Sequence, residues 1–260
     1  MDLGLTGKVA LVAASSKGLG FGVARALARE GALISMCSRE QGSIDAAAAK
    51  IQSETGAQPL AIACDMRDGK SIQDWINQTV LKWGKIDAVL VNAGGPPSGL
   101  FKDFDDAAWQ SAFELTLLGT VRLIRSVLPY MTEGGAILTI TSSSVQEPIE
   151  RLVLSTAMRS GVVGLVKTLA DELAGQNIRV NNLIPGRIDT DRVAQLDQNA
   201  ASKLGITFEE VRKQSLQRIP LRRLGSIDEF GAVAAFLLSP GASYLTGASL
   251  RVDGGMMRSV

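Results

Sequence analysis

Histidine is absent from this chain of 260 residues. That removes Ser-His-Asp and Cys-His nucleophile machinery and the commonest zinc ligand sets. Any acid–base work falls to a carboxylate, Lys, Tyr, Cys, a hydroxyl or bound water. Cysteine is scarce. Cys37 and Cys64 are far apart in sequence and each sits in an apolar run, so buried reduced thiols are expected rather than a disulfide or a metal pair. Neither sign of charge dominates: 27 basic residues face 26 acidic ones, for a net charge of +1. Nucleic acid and anionic membrane surfaces are therefore not expected partners. No apolar run has the length of a membrane span, and the opening "MDLGLTGK" lacks the basic and apolar regions of a signal peptide. A cytoplasmic protein is expected.

What the chain does have is alternation. "KVALVAA" (8–14) reads as a buried strand and the "GFGVARALAREG" after it as a helix ending at Gly31. "LISMCS", "PLAIACD", "DAVLVNAG", "AILTITSS", "IRVNNLIPG" and "GASLRVDGG" are six further strand candidates, mostly unbroken apolar runs of the kind covered on both faces. Helix-period segments lie between them, among them "SIQDWINQTVLKWG" and the long "WQSAFELTLLGTVRLIRSVLPYM". The pattern predicts right-handed βαβ units in an α/β fold: a Rossmann-like, doubly wound parallel sheet of about seven strands with helices on both faces, in three αβα layers. With no repeat, low-complexity tract or linker, residues 1–260 are expected to form one domain. The polar stretch at about 187–222, helical but strandless, is expected to be a substrate-side lid.

"ALVAASSKGLGFG" leads from the first strand through a glycine turn into the first helix. Gly18 and Gly20 would let the backbone approach a phosphate at the helix N-terminus, although turns of this composition also occur for purely structural reasons. The second strand ends in Ser38 and Arg39, and Lys17 projects from the glycine loop. These groups suit a ribose 2′-phosphate, which arginine grips bidentately, so NADP(H) is expected in preference to NAD(H). Solvated surface cations are the alternative, and Glu40 is a carboxylate within range of a free ribose hydroxyl.

The blocks "GLG", "CD", "NAG", "SSS", "PGRIDT" and "YLTGASLRVDGG" follow one another in the order seen in short-chain dehydrogenases/reductases. The chain resembles that family along nearly its whole length, and in overall pattern its 3-oxoacyl-(acyl-carrier-protein) reductases. The resemblance implies that Gly18, Leu19 and Gly20 line the pyrophosphate, with Ser16 and Lys17 of the same loop also at the cofactor. It implies that Asp65 and Met66 lie at the adenine, and Asn92, Ala93 and Gly94 along the ribose. It further implies that Pro185, Gly186, Ile188 and Thr190 hold the nicotinamide end. Structural roles remain open for two of these: Asn92 as a strand-end cap, Asp65 as a helix cap. The family begins its first loop with Thr-Gly, where this chain has Ala13-Ala14, which adds a methyl group to the tight turn.

The chemical centre departs further. The family uses a serine, a tyrosine, a lysine and an asparagine; here the corresponding positions hold Ser142, Ser155, Arg159 and Thr116. Arg159 keeps a positive charge that would hold the nicotinamide ribose, but does not shuttle protons as lysine does. Ser155 is a far weaker acid than a phenol, whose reference pKa is about 10. The only tyrosines, Tyr130 and Tyr244, fit structural positions.

Three readings follow. The first is an atypical NADP(H)-dependent oxidoreductase acting on a carbonyl or alcohol, with its proton taken from water or from a loop carboxylate such as Glu147 or Glu150. The second is a catalytically silent NADP(H)-binding sensor or subunit. The third is a non-redox enzyme of the halohydrin-dehalogenase type, which shares the arginine but keeps the tyrosine. Arg151, Arg159, Arg187 and Arg192 converge on the same end of the sheet. They suit an anionic or carrier-linked small-molecule substrate, unless Asp189, Asp191, Glu147 and Glu150 neutralise them internally. The apolar C-terminal strand and "VRLIRSVLPYM" suit self-association as a dimer or tetramer.

Overall fold

The computed structural model describes residues 2–259. Seven parallel strands form one sheet in the order β3-β2-β1-β4-β5-β6-β7. They are β1 (Val9–Val12), β2 (Leu33–Ser38), β3 (Leu60–Ala63), β4 (Ala88–Val91), β5 (Gly135–Ile140), β6 (Ile178–Pro185) and β7 (Ser249–Val252). Each of the seven apolar runs became a strand, because a strand covered on both faces needs apolar residues at every position. Within β1, Ala10 and Val12 enter one core while Val9 and Leu11 enter the other.

The first core is closed by helices α1 (Gly18–Arg29), α2 (Gln41–Thr55) and α9 (Ile227–Leu238). The second is closed by α3 (Gly69–Trp83), α5 (Gly119–Val127) and α6 (Val153–Glu172), with α4 (Asp106–Phe113) leading into α5. Helices α1 and α9 meet backbone to backbone. A Cβ on Gly22 would lie 2.4 Å from the Ile227 carbonyl oxygen, and one on Gly231 would lie 2.4 Å from the Gly22 carbonyl oxygen. No side chain of any size fits that crossing.

The long helix expected over 109–131 is not continuous. Residues Glu114–Leu118 form a π turn between α4 and α5, and Leu128–Tyr130 close the segment as a 3₁₀ turn. The apolar periodicity runs through the π turn, so the extra residue leaves no mark on the sequence pattern, and such bulges collect at functional positions. Thr116 stands inside it, buried, its hydroxyl without a partner, while its carbonyl accepts from the Thr120 hydroxyl at 2.7 Å.

After β6 the chain forms α7 (Asp191–Leu204) and α8 (Phe208–Arg218), the helical, strandless excursion anticipated at 187–222. Asp197 in α7 is almost wholly buried and pairs with Arg187 and, at 3.1 Å, with Arg212 of α8. This ion triad fastens both helices to the end of β6. Its warning in the sequence is a carboxylate on the same helical face as Val193 and Ala201, four residues apart on either side.

Candidate functional site

All the cofactor positions anticipated above fall at the carboxyl ends of the parallel strands, the edge where doubly wound sheets bind ligands. Ser16 and Lys17 belong to the β1–α1 turn, and Gly18, Leu19 and Gly20 open α1. Ser38 and Arg39 end β2; Asp65 and Met66 follow β3; Asn92, Ala93 and Gly94 follow β4; Pro185 to Thr190 run from β6 to the start of α7.

The crevice fits a dinucleotide diphosphate on local grounds. Helix α1 has no side-chain N-cap and no acidic residue in its first turn, so its positive end and free amides are left for an anion. Gly18 has φ +60°, and a Cβ on Gly20 would sit 2.3 Å from the Ala14 carbonyl oxygen, so backbone alone can occupy this bend. Asn92 ties the end of β4 to the same bend by donating its amide to the Ala13 and Ala14 carbonyls, both at 3.4 Å. Ala14 itself has φ +49°. A left-handed conformation strains any residue bearing a Cβ. Ala14→Gly is therefore expected to raise stability by about 1 kcal/mol, seen as a rise of roughly 2–4 °C in Tm.

Several anticipated ligand contacts are occupied by protein. Asp65 does not cap α3, a role Asp68 fills. Instead it holds the Arg67 guanidinium at 2.6 Å, which with the Arg67 amide draws its carboxyl below the usual range. Lys17 is not a free cation: its ammonium meets Asp191 at 3.1 Å. Ser38 donates to the Glu40 carbonyl at 3.1 Å. Arg39, exposed at the end of β2, has no ion-pair partner among the described residues. Thr190 serves as N-cap of α7, accepting from the Val193 amide at 3.4 Å, and its methyl group lies against Gly18.

At the chemical end, Ser155 and Arg159 stand one turn apart on α6, both buried. Arg159 folds back along α6: its Nε donates to Ser155 Oγ at 3.2 Å. Its Nη1 donates to the carbonyls of Ile140 at 2.7 Å and Thr141 at 3.2 Å, at the end of β5. Burial, with a smaller contribution from Arg192, lowers its pKa to about 10, which still leaves it charged at neutral pH. Ser142, two residues past the end of β5, accepts from the Ser144 amide at 3.2 Å and shares no hydrogen bond with Arg159 or Ser155 among the described residues. The π turn bearing Thr116 packs on α6.

The loop carboxylates are engaged elsewhere. Glu147 accepts from the amides of Arg258 at 2.7 Å and Ser259 at 2.9 Å, and Glu150 pairs with Lys203 at 2.8 Å. Both are held below the ordinary glutamate range by these partners, which makes them poor proton donors near neutrality. Neither tyrosine is at the site. Tyr130 accepts from the Ile86 amide just before β4, and Tyr244 precedes β7, so both lie toward the opposite edge of the sheet.

The two cysteines, distant in sequence, are neighbours here. Cys37 on β2 and Cys64 just past β3 lie close together at the ends of adjacent strands, and burial pushes the Cys37 thiol well up. Both are free thiols. No helix among the described residues is long and apolar enough to cross a membrane.

The family model described as Enoyl-(Acyl carrier protein) reductase matches residues 13–257. Short-chain dehydrogenase/reductase SDRA of Arabidopsis thaliana is 32% identical over 253 residues, covering 97% of this chain and 95% of its own. L-sorbose reductase from Gluconobacter frateurii, solved with NADPH and L-sorbose, superposes with a TM-score of 0.94 at 30% identity, covering 100% of both chains. An NAD+-bound xylitol dehydrogenase superposes with a TM-score of 0.90 at 26% identity, covering 96% of this chain and 99% of its own.

Proposed function

Since the chain belongs to the short-chain dehydrogenase/reductase family, we propose that it is an NADP(H)-linked oxidoreductase for a carbonyl or alcohol substrate, with Ser155 and Arg159 in place of the phenolic proton relay. One observation carries the reading: the uncapped, glycine-lined start of α1 and the Ser142, Ser155 and Arg159 set share one edge of the sheet. When bound, the nicotinamide supplies the hydride. Ser142 donates a hydrogen bond to the substrate oxygen, and Arg159 sets a fixed positive charge beside it as negative charge develops. Ser155 spends a lone pair on Arg159 Nε, which leaves its own hydrogen free to donate. Water delivers the proton, because Arg159 keeps its own and Glu147 and Glu150 are tied elsewhere. A general acid typically contributes about 10²- to 10⁴-fold, so slow turnover is expected. The segment at 187–222 acts as the lid over the substrate.

Arg39 selects NADP(H), its fork gripping the 2′-phosphate in place of the carboxylate an NAD site would carry. Titration by fluorescence is expected to give tighter binding of NADPH than of NADH. In Arg39→Ala the NADPH Kd should rise about 10- to 100-fold, as expected for losing a hydrogen bond to a charged group, with NADH unchanged. NADPH oxidation against a carbonyl panel that includes a 3-oxoacyl thioester tests the activity. The hydrogen bonds locking Arg159 to Ser155 and β5 favour one second reading, a cofactor-binding protein without turnover. Tight NADPH binding with no oxidation on any panel member would establish it in place of the first.

A further inference from the structure

Four arginines converge on this end of the sheet, and their pairing separates them into two kinds. Arg187 is spent on Asp197, and Arg151 lies 3.7 Å from Asp103. The acids that could have neutralised the others are committed as well. Asp189 pairs with Arg212, Asp191 with Lys17, Glu150 with Lys203, and Glu147 with two backbone amides. Arg159 and Arg192 are left with neutral oxygens alone. Arg192, exposed near the start of α7, reaches over the loop after β4, where its Nη2 donates to the Pro96 carbonyl at 3.3 Å; its Nη1 is 3.5 Å from Gln195 Oε1. The place a Cβ would take on Gly95 is 3.6 Å from the same Nη2. Arg159 is held at the end of β5, the strand next to β4. Its Nη2 has no hydrogen-bond partner among the described residues.

We propose that Arg159 and Arg192 form an anion subsite beside Ser142, and that the substrate is a carbonyl compound bearing a carboxylate. The proposal rests on the reading of Ser142 as the group that receives the carbonyl oxygen. Two guanidinium groups at adjacent strand ends, neither paired with a carboxylate among the described residues, offer N–H donors that a carboxylate accepts on both oxygens. Arg192 already repels Arg159 enough to lower its affinity for a proton. An anion between them relieves that repulsion, whereas a neutral ketone leaves it in place. Arg192 gives up only a carbonyl and an amide oxygen to make the contact.

The test compares acetoacetate with its methyl ester in wild-type protein, Arg192→Ala and Arg192→Lys, together with the thermal shift produced by oxalate in the presence of NADPH. In Arg192→Ala the KM for acetoacetate is expected to rise about 10- to 100-fold, while that for the ester stays unchanged and Arg192→Lys recovers part of the loss. Equal changes for acid and ester would overturn the subsite. An NADPH Kd that rises as much as the acetoacetate KM would overturn it too, assigning Arg192 to the cofactor diphosphate. If no carbonyl is reduced, oxalate reads the subsite independently: stabilisation lost in Arg192→Ala supports it, and stabilisation equal in both proteins, or absent from wild type, overturns it.

Discussion

Returning a phenol and an amine to α6, as Ser155→Tyr with Arg159→Lys, is expected to raise kcat for carbonyl reduction by about 10²- to 10⁴-fold, the range typical of a general acid. The scaffold for that repair is present: Ser142 follows β5, and the Ile140 and Thr141 carbonyls that hold Arg159 are placed to receive a lysine ammonium instead. Both substitutions are needed. A phenol alone displaces the Arg159 Nε bond, and a lysine alone has no acidic hydroxyl to lower. The pH profile gives a second readout. A phenolic acid must be protonated to donate, so the double variant should lose kcat as pH rises through the tyrosine pKa, a limb that the water-fed parent lacks. A folded double variant that binds NADPH as the parent does, yet gains no rate, would falsify the reading of this site as a reductase lacking only its relay.

Asp197→Ala is expected to cost about 3 kcal/mol of stability, lowering Tm by roughly 6–12 °C. Removing one member of a buried ion pair leaves its partners charged and unsolvated, which is worse than never having built it. Here Arg187 is stranded while Arg212 keeps Asp189, and both arginines are about a quarter exposed, so the low end of the usual range applies. The damage should be local before it is global. The α7–α8 excursion hangs on this triad, so limited proteolysis is expected to cut within 187–222 while the sheet stays intact. Asp197→Asn, which keeps the shape and one acceptor, should lose less. A loss under about 1 kcal/mol in Asp197→Ala would mean that water already screens the triad.

The strands were legible because their burial is two-sided: "VALV" is apolar and buried at all four positions of β1. The family motifs placed the glycine bend, and the positive φ of Ala14 shows why that loop ordinarily opens with glycine. Charge pairing was not legible. Lys17 and Asp191 are 174 positions apart, and nothing local to "SSKGLG" announces such a partner. Arg187 and Arg192 look alike in "PGRIDTDR", yet Arg187 is neutralised by a carboxylate ten residues on, whereas Arg192 reaches only neutral oxygens. The π turn at Glu114–Leu118 was hidden for a different reason: its sequence, ELTLL, is apolar at three of five positions, so a one-residue shift of the stripe leaves apolar residues on either face. Cys37 and Cys64 became neighbours only through the pairing of β2 with β3, which is long-range information.

The glycine-to-glycine crossing of α1 and α9 ties the nucleotide crevice to the order of synthesis. The bend at Gly18 opens a helix whose seat is made by residues 227–238, some two hundred positions later. On a ribosome that interval lasts about ten seconds or more at ordinary elongation rates. During it, the amino-terminal βαβ units lack the partner surface that fixes the direction of α1. A nascent chain halted before residue 227 should ignore NADPH even with every phosphate-facing residue already made.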